Sequence, residues 1–261
     1  MDLRRICYSG QCFRMEEIKQ DTFQVIAFGR KLMIMQCKDQ FYFSCGEEEF
    51  DEIWYSYFDL DTDYEKIQNS VQKEDTYLTN VAKIGWGIRI LRQDLWEMII
   101  TFIISQQNNI PRIRKCVQLL CQRYGEKKQD QTGELYYDFP TPEVLAEAKE
   151  DDLKACNLGY RSRYIKQTAI SIVRKEIDLE QVRQMTHEQA KKELLQLYGV
   201  GKKVADCICL FALHHVEAFP IDTHIRQVLD REYPDGFPFE RYENCAGILQ
   251  QYMFYYEINR K

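Results

Sequence analysis

The chain has 261 residues, 45% of them hydrophobic and 29% charged, with ten cysteines and a formal net charge of −6. That balance excludes a disordered or low-complexity chain, and no apolar run is long enough to cross a bilayer, so no membrane partner is expected. The acidic total, taken alone, argues against a nucleic-acid partner.

At the amino terminus, Asp2, Arg4 and Arg5 without a long apolar core do not read as an export signal. Residues 23–28, 32–37 and 40–45 are apolar, aromatic and β-branched runs split by Gly29-Arg30-Lys31 and Lys38-Asp39, which predicts an antiparallel meander. Residues 47–75 are Tyr-rich, helical or looped, and carry eleven acidic and two basic residues. The rest of the chain is therefore +3, and the acidic span reads as a solvated face turned away from any polyanion. From about Leu91 the period becomes helical, placing Leu95, Met98, Ile99, Phe102 and Ile103 on a long, mostly buried helix. A helix over 113–124 and a polar loop over 125–139 follow. Thr141-Pro142 caps and opens the next helical stretch, Leu158-Gly159 ends it, and residues 161–175 resume it. Thr186-x-x-Gln189 is a capping box for a helix to about Leu197, Gly199-Val200-Gly201 is a tight turn, and residues 202–213 are helical. Asp222 opens a further helix, and residues 245–258 are amphipathic. With no internal repeat, the pattern predicts an α+β fold: an N-terminal antiparallel sheet domain with helices over residues 1–88, then an all-helical domain over 89–261. No cysteines form a Cys-x-x-Cys pair, so the thiols, notably Cys37, Cys116, Cys207 and Cys209, are expected to be reduced and mostly buried.

The turn at Gly199-Val200-Gly201 joins two helices. Glycines let backbone N–H groups approach an anion at the positive end of the helix that starts there, so a backbone phosphate is a natural ligand. A plain turn between packed helices explains the spacing equally well. No Ser or Thr follows Gly201-Lys202, so the segment is not a Walker A loop.

The run Leu197-Tyr198-Gly199-Val200-Gly201-Lys202-Lys203-Val204-Ala205-Asp206-Cys207, with Phe219-Pro220-Ile221-Asp222-Thr223-His224 after it, resembles the helix-hairpin-helix and Gly/Pro…Asp motif of DNA glycosylases. Within that superfamily it is most similar to the 8-oxoguanine glycosylases. Ser9-Gly10-Gln11-Cys12-Phe13-Arg14, Leu91-Arg92-Gln93-Asp94, Asn108-Asn109-Ile110, Leu158-Gly159-Tyr160-Arg161 and Ala246-Gly247 through Phe254 extend the resemblance, in order, over nearly the whole chain.

The resemblance implies a base-excision-repair enzyme that flips 8-oxoguanine, preferably opposite cytosine, from double-stranded DNA and excises it through a lysine Schiff base. It then cleaves the strand as an AP lyase. The nucleophile falls on Lys203, where the helix N-terminus and Lys202 disfavour the ammonium form; Lys202 is the rival, and the register favours Lys203. Asp222 by itself is an N-cap, and in the family the matching carboxylate also stabilises the developing oxocarbenium charge. Gly10 by itself is a simple turn; the resemblance gives its carbonyl the N7–H that 8-oxoguanine has and guanine lacks. Phe254 is expected to stack on one face of the flipped base and Cys207 on the other, with the Gln250 amide at the Watson–Crick edge. Ordinary helix packing accounts for Phe254 and Cys207 as well. Tyr160 matches the wedge that enters the base stack. Arg112 and Arg161 match donors to the orphaned cytosine, although phosphate contacts would suit them too. Gln107 and Asn109 lie in the same element, where Gln106-Gln107 replaces the Ser-Asn of better-known eukaryotic members and leaves strictness for cytosine open. His224 is expected to contact a phosphate near the lesion, Gly199 and Gly201 to contact the DNA backbone, and His187, His214 and His215 to be structural or exposed. No metal and no required cofactor are expected, though a monovalent cation on the hairpin carbonyls is compatible with the resemblance. A monomer in the cytoplasm, nucleoid-associated if bacterial, completes the expectation.

Two rivals stand beside it. The endonuclease III branch carries a C-terminal four-cysteine iron–sulfur site, whereas only Cys245 lies in this tail. A non-catalytic DNA-binding hairpin module would not need Lys203 and Asp222 in register.

Overall fold

Alternating burial builds the sheet. Strand β1 (Met15–Lys19) pairs with β2 (Thr22–Ala27), β2 with β3 (Arg30–Cys37), and β3 with β4 (Gln40–Phe43), all antiparallel, in a computed structural model that describes residues 1–260. Lys261, the last residue of the expected helical part, lies outside the described residues. Register places Phe23 opposite Ile34 and Val25 opposite Leu32, so four buried side chains share one face. That face closes on Leu3, Ile6 and Cys7 of helix α1 (Leu3–Cys7) and on Trp54, Tyr57 and Phe58. The expected meander has one strand more than predicted. β1 was illegible because only Met15 of its five residues is buried, while Glu16 is exposed and a bulge interrupts the pairing after Glu17.

Most carboxylates of the acidic span are exposed, as a solvated face requires, but Asp59 is a correction: its side chain is fully buried. It accepts from Arg92 Nε (3.1 Å) and Nη2 (2.7 Å), Tyr64 Oη (2.7 Å) and Thr62 Oγ1 (2.9 Å), with His214 Nε2 at 3.2 Å. Burial alone would push this carboxyl up; the His214 and Arg92 contacts outweigh it and hold the group well below the usual carboxylate range. All ten cysteines are free and eight are buried, but Cys37, expected inside, is exposed at the end of β3.

Helix α2 (Thr76–Ile84) packs on the C-terminal helix rather than the sheet. The axis of the helical core is α3 (Leu95–Ser105), capped by Asp94 and buried at ten of its eleven residues. Helix α4 (Ile110–Tyr124) follows, capped by Asn109. The stretch over 125–139, expected as a loop, contains a two-stranded hairpin, β5 (Lys127–Gln129) and β6 (Leu135–Tyr137). Its polar residues hold it to the sheet: Lys31 Nζ lies 2.9 Å from Asp130 and 2.6 Å from Glu134, and Tyr136 Oη donates to the Gly29 carbonyl. Helices α5 (Pro142–Glu147), α6 (Arg161–Val173), α7 (His187–Leu194), α8 (Lys202–Phe211), α9 (Thr223–Glu232) and α10 (Ala246–Asn259) complete the core. The Thr186 capping box forms as predicted. The tail is helical but not amphipathic, since Ala246 through Met253 are all buried where α10 passes between α2, α9 and the loop after α1.

Candidate active site

Gly201 is the N-cap of α8 and has no side chain to satisfy the first-turn N–H groups, and space around it is open. Gly199 sits at φ +85°, and a Cβ there would lie 2.7 Å from the Tyr164 ring, so the turn demands glycine twice over. The result is a helix N-terminus with unsatisfied donors and room for an anion.

One residue into α8, Lys203 is half-buried, and its Nζ lies 5.5 Å from the centre of the Phe102 ring. One turn on, Cys207 is buried on the same helix. Burial pushes the Cys207 thiol up; Lys203 opposes that, while Asp222, close enough to be felt, adds to it. Asp222 caps α9, its Oδ1 accepting from Ile225 N at 2.8 Å. Lys203 and Cys207 thus share one turn of α8, and Asp222 opens α9.

A second cluster adjoins it. Gly10 sits at φ +76°, and a Cβ there would meet Phe254 Cε1 at 2.9 Å and Ile110 Cδ1 at 3.3 Å. The loop is held from all sides. Gln251 Nε2 donates to Ser9 O (2.6 Å), Gln11 Nε2 to Ser9 Oγ (2.9 Å), Gln93 Nε2 to Gln11 O (2.9 Å), and Leu91 N to Gln11 Oε1 (2.8 Å). Among the described residues no donor reaches the Gly10 carbonyl. The Phe254 ring stands edge-on to His224 with centroids 6.0 Å apart. Gln250, 3% exposed, gives its amide N–H to Pro220 O (2.9 Å), while its Oε1 is buried without a partner. That bond ties α10 to the turn carrying Asp222, joining the two clusters.

The remaining expected DNA contacts cluster around the hairpin. Tyr160 is 48% exposed at the start of α6. Arg112, Gln107 and Asn109 are exposed, and Asn109 Oδ1 already accepts from Arg112 N. Arg161 differs from expectation. It is buried, and its guanidinium donates to the carbonyls of Gln106, Gln107 and Leu158, so it offers no free face to an orphaned base in this conformation. Sequence reasoning missed Gln11, Gln93 and Gln251, which shape the Gly10 loop, and Phe102 and Ile110, which wall the two clusters. Gln11, Gln93, Ile110 and Gln251 did lie inside the stretches carrying the resemblance, the one signal available.

Among the described residues no group of three or more His, Cys, Asp or Glu is placed to hold a metal ion. In the hairpin, the carbonyls of Leu197, Tyr198 and Gly199 accept from Val200 N, Thr168 Oγ1 and Gln106 Nε2. A cation there would draw on what remains, and none of the chemistry below depends on it.

Comparison with known proteins places this geometry. Residues 1–99 match the N-terminal domain family of 8-oxoguanine DNA glycosylase, and residues 100–235 match the HhH-GPD superfamily of base excision DNA repair proteins. An N-glycosylase/DNA lyase of Saccharomyces cerevisiae is 37% identical over 158 residues, 56% of this chain but 42% of that protein, so this chain spans less than half of its relative there. A probable N-glycosylase/DNA lyase of Methanothermobacter thermautotrophicus is 30% identical over 76% of this chain and 71% of its own length. The Clostridium acetobutylicum 8-oxoguanine glycosylase/lyase, solved with double-stranded DNA containing cytosine opposite 8-oxoG, superposes with a TM-score of 0.92 at 35% identity, covering 98% of this chain and 91% of that one.

Proposed function

The chain belongs to the HhH-GPD superfamily of base excision DNA repair proteins, in its 8-oxoguanine glycosylase branch, and from that premise we propose that it excises 8-oxoguanine from duplex DNA and cleaves the strand at the resulting site. The observation that carries the reading is Lys203 and Cys207 on the uncapped first turns of α8, with Asp222 capping α9 and Gln250 tying that turn to the helix whose Phe254 faces Gly10.

The lone pair of Lys203 Nζ attacks the sugar C1′ and the C1′–N9 bond breaks, its electron pair leaving with the base, which takes up a proton. Asp222 faces the positive charge that develops on the sugar as that bond lengthens. The amine then loses a proton, C1′–O4′ opens with a proton passing to O4′, and a protonated Schiff base forms between Lys203 and C1′. Loss of a C2′ proton pushes electrons through to the 3′ phosphate, which departs, and water releases the lysine. The helix-hairpin grips the backbone through the uncapped N–H groups that follow Gly201.

Recognition follows from what is left unpaired. The free Gly10 carbonyl suits the N7–H of 8-oxoguanine, and the buried, partnerless Gln250 Oε1 suits N–H donors on the Watson–Crick edge. Phe254 covers one face of the base, with Cys207 toward the other. Tyr160 fills the gap in the stack, and exposed Arg112, with Gln107 and Asn109, faces the orphaned cytosine. We assign Arg161 to holding that turn and His224 to a phosphate. The substrate is double-stranded DNA, met by a single chain, and ten free thiols suit a reducing intracellular compartment. Incision of an end-labelled duplex tests the reading: a nick at 8-oxoguanine opposite cytosine, faster than opposite adenine and absent from the undamaged duplex, is expected. Equal or no incision of the damaged and undamaged strands would refute it.

A further inference from the structure

Gln106 is the position where this chain departs from the pattern its neighbours in the motif would suggest, and the structure gives it work that no expected role covers. Its side-chain Nε2 donates to the Gly199 carbonyl at 2.8 Å, reaching across from the end of α3 to the hairpin, and to Ile103 O at 3.2 Å. Its own carbonyl accepts from Arg161 Nε at 2.9 Å and from Nη2. The Arg161 guanidinium in turn lies 4.6 Å from the centre of the Tyr160 ring. A second route joins the same end points by packing alone. Tyr164 lies against Gly199, where an added Cβ would come within 2.7 Å of its ring, and stands edge-on to Tyr160 with centroids 5.5 Å apart.

The two routes close a ring: Gly199, Gln106, Arg161, Tyr160, Tyr164 and back to Gly199. One side of that ring is the turn that leads into the uncapped start of α8, and the other is an exposed aromatic at the start of α6. Gly199 is held by a hydrogen bond at its carbonyl and by a ring at its α-carbon, so displacing it moves Tyr160 through both routes. Gln107, next in the chain, sits at φ +47°, a conformation that persists because its neighbours hold it, and its carbonyl also accepts from Arg161 Nη2.

Resting on the function proposed above, we infer that Gln106 is a positioning residue that couples the hairpin's grip on the DNA backbone to the insertion of Tyr160 into the base stack. It touches neither the base nor the sugar. Its removal therefore weakens strand opening while leaving the Lys203 chemistry competent once an opened sugar is supplied.

The test compares full-length wild type, Gln106→Met, which keeps length and volume but removes the donor, and Gln106→Lys, which restores a donor of similar reach. Each is assayed for thermal melting, for the fluorescence of a 2-aminopurine beside the lesion as the strand opens, and for single-turnover cleavage of two duplexes. One duplex carries 8-oxoguanine and the other a preformed abasic site. For Gln106→Met we expect a loss of about tenfold on the lesion duplex, the scale of one lost hydrogen bond, with a smaller opening signal, near-wild-type cleavage of the abasic duplex and partial recovery in Gln106→Lys. Unchanged opening and lesion cleavage in Gln106→Met would overturn the inference and leave the function standing. So would parallel losses on both duplexes with a lower melting temperature and no recovery, which would make Gln106 a residue of the fold alone. Wild type inactive on both duplexes would remove the function and the inference with it.

Discussion

On the Lys203 side of the site, the proposed nucleophile, the neighbouring thiol and the carboxylate all lie between Leu197 and Asp222, and local rules place them: a glycine turn, a helix start, an N-cap. The Gly10 side draws on both ends of the chain. Its glycine follows α1, its aromatic wall comes from α10, and four glutamines from three places along the chain hold them in register. Chemistry that needs one amine at one helix terminus can be written in a contiguous motif. Recognition that needs a free carbonyl at one distance from a ring has to be assembled by tertiary packing.

The comparison can be broken most strongly at Gly10. In Gly10→Ala the added methyl falls 2.9 Å from Phe254 on a backbone at φ +76°, and we expect 8-oxoguanine excision to fall about a hundredfold while cleavage of a preformed abasic site stays close to wild type. Equal losses on the two substrates would mean that the two sides are not separable. Gln251→Leu removes the donor to the buried Ser9 carbonyl; excision should fall about tenfold and stability by about 2 kcal/mol, read by single-turnover kinetics and urea melts.

The smallest effect sharpens the picture of the joint between the two halves. Glu97 of α3 faces Arg14, which follows the Gly10 loop, at 3.2 Å. Burial pushes its carboxyl up to about 7 despite Arg14, so the folded chain holds a proton there that the unfolded chain has lost. Stability should therefore fall as pH rises from about 4.5 to about 7, by on the order of 5 °C in Tm, and level off above. In Glu97→Gln that part of the slope should vanish; a slope identical to wild type would assign it to other groups.

The same contrast explains what could be read in advance. The capping box at Thr186, the caps at Thr141 and Asp222, and the buried stripe of α3 are local signals, and each forms as its residues predict. β1 and the β5–β6 hairpin escaped because their burial is slight and their stabilising partners lie elsewhere in the chain, as with Lys31 and Asp130. α10 read as amphipathic because a sequence does not say that both of its faces will be covered. Asp59 and Arg161 are the instructive cases among the charges. Each belongs to a residue type that favours the surface, and each is buried because several partners converge on it, which no neighbour in sequence announces.

The central claim is that Lys203, rather than Lys202, forms the covalent bond to DNA. The direct measurement is trapping with borohydride on an 8-oxoguanine·cytosine duplex, using wild type, Lys203→Gln and Lys202→Gln, with the undamaged duplex beside them. A stable protein–DNA adduct is expected with wild type and with Lys202→Gln, and none with Lys203→Gln or with undamaged DNA. An adduct that persists in Lys203→Gln, or that disappears in Lys202→Gln alone, would contradict it.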